Sequence, residues 1–197
     1  PEMSFFQFCE EMLTKYETED NICHISGSRY VNVNDSENKS YYFSKYPLEW
    51  GWATWKSEWL RYDPKMDDWL EVSKSNVLRK IFLEKKTFKY WHWIFKNCYD
   101  GSINSWALKW FYRNIVDGKL AIIPKYNLIT NIGMGTNSTN TKLKNQFLTQ
   151  STNELGFPLE NPKKLILNSE NDKLQEVVLY NKSVTWLEIV TKRIKPI

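Results

Sequence analysis

Trp50-Gly51-Trp52-Ala53-Thr54-Trp55 is the run of this sequence best equipped for chemistry. Three indoles fall close together, and the glycine between the first two lets the backbone turn sharply or approach another group. An indole is apolar on its faces and polar at one edge. Such a run serves either as a strand-to-helix corner packed by aromatics or as a platform for a sugar ring, and both uses stay open at this level. Other chemistries are thin. There is no Walker pattern and no GxGxxG loop, and Gly133-Met134-Gly135 is too short to stand for one. His24 and His92 are the only histidines, lie far apart and read as structural. No local His/Asp/Glu spacing assembles a metal site, and no nucleophile-elbow pattern supports a Ser-His-Asp site. Cys9, Cys23 and Cys98 are widely spaced and fit neither a zinc pattern nor a disulfide framework. They read as inert core thiols in a reducing, cytoplasmic compartment.

The elements that must position these residues follow from periodicity. Ser4 with Gln7 matches a capping box, and Phe5, Phe8, Cys9, Met12, Leu13 and Tyr16 recur at helical spacing, so a helix is predicted over about 5–16. Ile22 to Ser26 and Tyr41 to Phe43 read as short strands. The Trp run leads into a helix with Trp55, Trp59 and Leu60 on one face. Met66 to Leu83 reads as a second helical stretch, Thr87 to Lys96 as a third, and Ile103 to Val116 as a fourth, ended near Gly118. Leu120 to Ile123 is an apolar strand of the kind buried on both faces. Asn32 to Ser40 and Asn131 to Thr141 read as polar loops, and Asp172 to Tyr180 and Val184 to Lys195 as closing helices. Short strands alternating with helices predict an α/β layer fold with three or four strands.

The chain has 197 residues, enough for one domain with its own core. Hydrophobic residues are 42% and charged residues 25%, which excludes a disordered tail or a low-complexity linker. Nothing approaches the apolar length of a membrane span, and the first residues do not resemble a signal peptide. The outlier is 10 Trp, 11 Tyr and 10 Phe, which fits either a dense aromatic core or a stacking surface. A net charge of +4 permits contact with a polyanion or an anionic membrane face without arguing for either.

Several blocks together resemble the C-terminal half of bacterial GT-A-type glycosyltransferases of family two, the hemolysin-like (HlpA-type) group. Phe5-Phe6-Gln7-Phe8-Cys9 with Leu13 is similar to the helix after that family's donor-binding acidic motif, and His24-Ile25-Ser26-Gly27 to its next strand. The most specific block is Ser40-Tyr41-Tyr42-Phe43-Ser44 followed by the Trp50–Trp55 run, Trp59 and Tyr62-Asp63. Asn104-Ser105-Trp106 with Trp110, Pro124, Asn127-Leu128-Ile129, Asn131-Ile132-Gly133, Pro158-Leu159 and Pro162 complete it. The resemblance implies a partial GT-A fold over 1–197 in which few strands are flanked by helices. The nucleotide-binding part would lie upstream of Pro1, so a piece of a longer protein is expected, with a sheet edge open for pairing with a second copy. It further implies a nucleotide-sugar donor, a glycan or other hydroxyl acceptor, a divalent cation (Mn or Mg) held by the longer protein rather than by this chain, and work in polysaccharide biosynthesis at the inner membrane face.

Such a transferase needs a carboxylate to deprotonate the acceptor. Many relatives carry an acidic residue where this chain has Ala107, and many carry a histidine where Asn140 stands. The remaining candidates are Glu49, Asp63, Asp67, Asp68 and Asp100. Glu49 abuts the indoles, where burial would raise its pKa, and Asp100 precedes the helix of Trp106; these two are the expected catalytic residues. Trp50, Gly51, Trp52, Trp55 and Trp106 are the expected substrate-binding residues, and no metal ligand is assigned. Two other function classes compete. A non-catalytic carbohydrate-binding or scaffold domain would use the same aromatics. A nucleic-acid binder would use them with Lys and Arg, but the basic residues are dispersed and carry no binding motif.

Overall fold

Side chains alternate cleanly along two neighbouring strands of the computed structural model, which describes residues 1–31, 38–130 and 151–181. In β2 (Tyr41–Ser44), Tyr41 and Phe43 join one core while Tyr42 packs against the other. In β4 (Leu120–Pro124), Ile122 faces the first core, and Ala121 and Ile123 face the second. A sheet buried on both faces is the arrangement that such apolar strands require.

The four strands run in the order β2-β4-β1-β3, with β1 at Ile22–Ser26 and β3 at Trp52–Ala53. β1 and β4 are parallel, whereas β2 on β4 and β3 on β1 are antiparallel. The fold is therefore mixed α/β with a small mixed sheet flanked by helices. Leu167 and Asn168 cover part of the outer edge of β2, with the Asn168 N–H donating to the Phe43 carbonyl at 2.8 Å.

One face carries α1 (Met3–Lys15), whose Phe5, Phe8, Cys9, Met12 and the following Tyr16 pack on Ile22, Ile25, Tyr41 and Phe43. The other carries α3 (Trp69–Lys74), α4 (Val77–Ile81), α5 (Lys85–Tyr99) and α6 (Trp106–Val116). The single-turn α2 (Lys56–Trp59) follows β3, and α7 (Ser169–Gln175) runs on as a π-helical turn over Glu176–Asn181.

Local chemistry moves several boundaries from their sequence-derived places. Ser4 does not cap α1. The N-cap is Glu2, without a side-chain bond, and the Ser4 hydroxyl accepts the Leu155 N–H at 3.1 Å. A tertiary donor has taken the group that a capping box would use. Met66 to Leu83 is not one helix but two, because Ser75 is extended and its hydroxyl donates to the Val72 carbonyl and accepts from the Val77 N–H. Serine competes in this way with helical bonding. α6 starts at Trp106, later than Ile103, since Ser105 is its cap and accepts from the Leu108 N–H. Trp55 is the N-cap of α2 and does not share a helix face with Trp59. The loop residues Gly133, Gly135 and Asn140 and the closing segment Val184 to Lys195 lie outside the described residues.

Candidate functional site

The segment from Ser44 to Trp55 is pinned along β1, and this fixes where the Trp run points. The Ser26 hydroxyl accepts the Leu48 N–H at 3.0 Å, and His24 Nε2 donates to the Leu48 carbonyl at 3.1 Å. Trp110 Nε1–H donates to His24 Nδ1 at 3.2 Å, so the imidazole is held as the neutral tautomer with its proton on Nε2. Its burial lowers the pKa to about 4, against the smaller opposing effect of the Leu48 carbonyl. The Gly27 N–H donates to the Gly51 carbonyl at 2.6 Å, and the Thr54 hydroxyl to the Cys23 carbonyl at 2.6 Å.

Gly51 has φ +58°, a left-handed conformation that favours glycine. A Cβ there would lie 2.4 Å from Ile129 Cγ1. The space beside Gly51 thus receives Ile129, and the close approach that the glycine allows is one of backbone to core. The turn also gives Trp50 and Trp52 different surroundings. Trp50 meets Tyr30 edge-to-face at 5.7 Å. Trp52 stacks on His24 at 5.2 Å and on Trp106 at 5.6 Å, and meets Trp59 at 5.6 Å and Trp110 at 6.2 Å. Trp55 goes elsewhere again: it packs into the α1 core, and its N–H donates to the Leu13 carbonyl at 3.0 Å.

Glu49 is partly buried beside Trp50, and burial raises its pKa, against a smaller lowering by its own backbone N–H. Tyr30 and Tyr90 lie close enough to feel its charge: burial pushes both phenols up, and Glu49 pushes them further. Asp100 differs. It caps α5, accepts the Ser102 N–H at 3.1 Å and pairs with Lys96 at 3.1 Å. The Ser102 hydroxyl and N–H and the Lys96 ammonium hold its carboxyl below the usual range, which makes it a poor base. Asp63 accepts the Lys65 and Asp67 N–H groups at 2.8 and 2.7 Å. Burial pushes its carboxyl up, but these backbone donors outweigh that and leave it below its ordinary value.

The structure therefore divides the expected residues among several places. Glu49 and Trp50 sit with Tyr30 and Tyr90. Trp52 and Trp106 sit with Trp59, Tyr62 and Trp110. Trp55 tethers α1, and Asp100 closes α5. Trp59 and Tyr62 are members that sequence reasoning left out of the site. Their rings stack at 4.9 Å and 9°, and the i,i+3 spacing was the available signal.

A chain of ion pairs holds α2 in place against α6. Lys119 pairs with Glu58 at 2.6 Å, Glu58 with Arg61, Arg61 with Asp117, and Asp117 with Arg113. Arg113 continues to Asp68 at 2.8 Å, which also accepts the Tyr112 hydroxyl at 2.7 Å. Glu58 is buried, so these partners are what make its charge tolerable there.

Away from these residues, a groove of about 650 Å³ runs between α4, the end of α6 and α7. Its lining includes Lys45, Leu83, Lys119, Asp172 and Glu176, and none of the expected site residues. Asp172 accepts from the Ser44 hydroxyl at 2.5 Å and the Lys45 N–H at 3.1 Å, and Glu176 pairs with Lys45 at 2.7 Å. Burial nevertheless raises Asp172 to about 6. All three cysteines are buried and free, and burial pushes the thiols of Cys9 and Cys98 up to about 12.

Among the described residues no group of three or more His, Cys, Asp or Glu side chains could hold a metal ion. No helix among them is long and apolar enough to cross a membrane. No protein-family model, curated protein or solved structure matches the chain.

Proposed function

We propose that the chain supplies the acceptor side of a GT-A-type glycosyltransferase, with Glu49 as the base that takes the proton from an acceptor hydroxyl. The observation that carries this is the placing of Glu49 and Trp50 around Tyr30: a partly buried carboxylate of raised pKa whose charge reaches the Tyr30 phenol, with the Trp50 indole packed on the same ring, at a backbone corner pinned to the sheet. A base works best when its pKa lies near the working pH, and burial moves Glu49 in that direction. Proton removal lets the hydroxyl oxygen attack the anomeric carbon of a nucleotide sugar; the C–O bond forms as the bond to the diphosphate breaks, and Glu49 retains the proton. A divalent cation is the usual partner of the departing diphosphate. The described residues hold no cluster that fits such an ion.

The test is transfer from nucleotide-sugar donors by the protein that carries this chain. Glu49→Gln keeps the shape and removes the basicity, so turnover should fall by roughly 10²–10⁴-fold with donor affinity retained. Asp100→Asn should leave turnover within about twofold. Unchanged turnover in Glu49→Gln would refute the assignment. A second reading, a carbohydrate-binding domain without catalysis, is favoured by the exposed indoles of Trp59 and Trp106. It predicts saccharide binding with no transfer in the wild type.

A further inference from the structure

Tryptophan is treated unevenly in this fold. Trp69, Trp91 and Trp110 are at most 5% exposed, whereas Trp106 is 47% and Trp59 38% exposed. One face of Trp106 is covered by Trp52, stacked at 30°, and one face of Trp59 by Tyr62, stacked at 9°. The planes of Trp59 and Trp106 meet at 73°. The exposed area therefore lies on Trp106 and, at a steep angle to it, on the Tyr62–Trp59 stack. The indole N–H groups of Trp52, Trp59 and Trp106 have no hydrogen-bond partner among the described residues, unlike those of Trp55 and Trp110.

We infer that Trp106, with the Tyr62–Trp59 stack, is a subsite that binds a neutral saccharide, the acceptor glycan, by stacking. This rests on the sugar-handling reading above and names the ligand and its contacts. The exposed aromatic area is small. An indole offers at most about 250 Å², so these exposures leave on the order of 200 Å² of tryptophan surface. A stable protein interface needs about 800 Å² per partner. The exposed area suits a small ring with one apolar face, and the free N–H donors suit its hydroxyls. The neighbouring charges carry both signs. Asp63 follows Tyr62, Arg61 pairs with Asp117, and Lys109 donates to the Pro64 carbonyl at 2.6 Å. A mixed rim offers donors and acceptors without selecting an anion, which favours a neutral sugar over a phosphate or an acidic polymer.

The full chain, labelled with ¹⁵N, is titrated with maltotetraose, cellotetraose and chitotetraose, and with sulfated heparin tetrasaccharide as the anionic control. At least one neutral tetrasaccharide should shift the Trp106 and Trp59 indole N–H signals, and the anionic control should not bind more tightly. Trp106→Ala should weaken that binding about tenfold, with Trp106→Phe intermediate and Leu83→Ala, exposed on another face, unchanged. Absence of binding by all three neutral sugars, stronger binding of the heparin fragment, or unchanged affinity in Trp106→Ala overturns the inference. The wild-type indole shifts decide the matter even if Trp106→Ala fails to fold. Glu49→Gln is titrated in parallel. Normal saccharide binding with unimpaired transfer in that variant refutes the base assignment alone, whereas lost transfer with no indole shift refutes the subsite alone.

Discussion

Two buried groups should make the acid response of this protein the difference of two opposing titrations. His24 is held neutral, with its pKa lowered from 6.5 to about 4. As pH falls from 6.5, the unfolded chain takes up a proton that the folded chain refuses. Stability present above pH 6.5 is lost progressively down to about pH 4, at about 1.4 kcal/mol per unit. Asp172 acts with the other sign, its pKa raised from 3.8 to about 6. Below pH 6 the folded chain binds the proton first, so stability rises as pH falls and is fully gained near pH 3.8. From pH 7 to 4.5, the His24 loss is about 2 kcal/mol and the Asp172 gain about 2 kcal/mol.

Urea unfolding of wild type, His24→Gln and Asp172→Asn at pH 7 and 4.5 separates the two. Each variant is compared with wild type across the same interval, so the remaining carboxylates cancel. His24→Gln should move about 2 kcal/mol towards greater stability on acidification, and Asp172→Asn about 2 kcal/mol the other way. The imidazole can also be followed directly by NMR, since His24 should stay neutral down to about pH 5. A His24 that titrates near 6.5, or a His24→Gln profile parallel to wild type, would refute the buried Trp110–His24–Leu48 arrangement.

Two other predictions concern the scaffold. Gly51→Ala should cost about 1–3 kcal/mol in urea unfolding, because it adds strain at a positive φ and drives Ile129 from its place; Gly51→Ala with Ile129→Ala should cost less than the sum of the two single changes. Glu58→Gln removes the charge shared by Arg61 and Lys119 in a buried setting, so a loss of about 3 kcal/mol is expected, together with a changed Trp59 environment in indole NMR; an unchanged midpoint would mean that the ion pairs are solvated and do not hold α2.

The layers of the fold were legible because periodicity survives tertiary context. α5 and α6 present apolar stripes to one core, as the spacing of Trp91, Phe95, Phe111 and Ile115 requires. Strands β1, β2 and β4 were visible as short apolar runs, whereas β3 was not, since two residues beside a glycine carry no alternation to read. The site was legible by composition and not by geometry. The Trp run reads as one unit in the sequence, but the left-handed turn at Gly51 and the bond from Trp55 to Leu13 send its indoles to different surroundings. Glu49 and Asp100 looked alike as carboxylates near aromatics. What separates them is burial for one and local donors for the other, and both are properties of the folded chain.

The charge chain on α2 explains how so short a helix can hold the proposed stacking surface. A helix of one turn has no stability of its own, and Trp59 at its end is too exposed to be fixed by burial alone. The ion pairs from Lys119 through Glu58, Arg61 and Asp117 to Arg113 attach the C-terminal end of that turn and the residues after it to the far end of α6. Trp106 lies at the near end of the same helix, so one rigid element sets both sides of the aromatic corner. Pre-ordering of this kind lowers the entropy cost of holding a flexible sugar chain, which matters most where the contact area is small. Breaking the pairs should therefore weaken saccharide binding without touching a single aromatic ring.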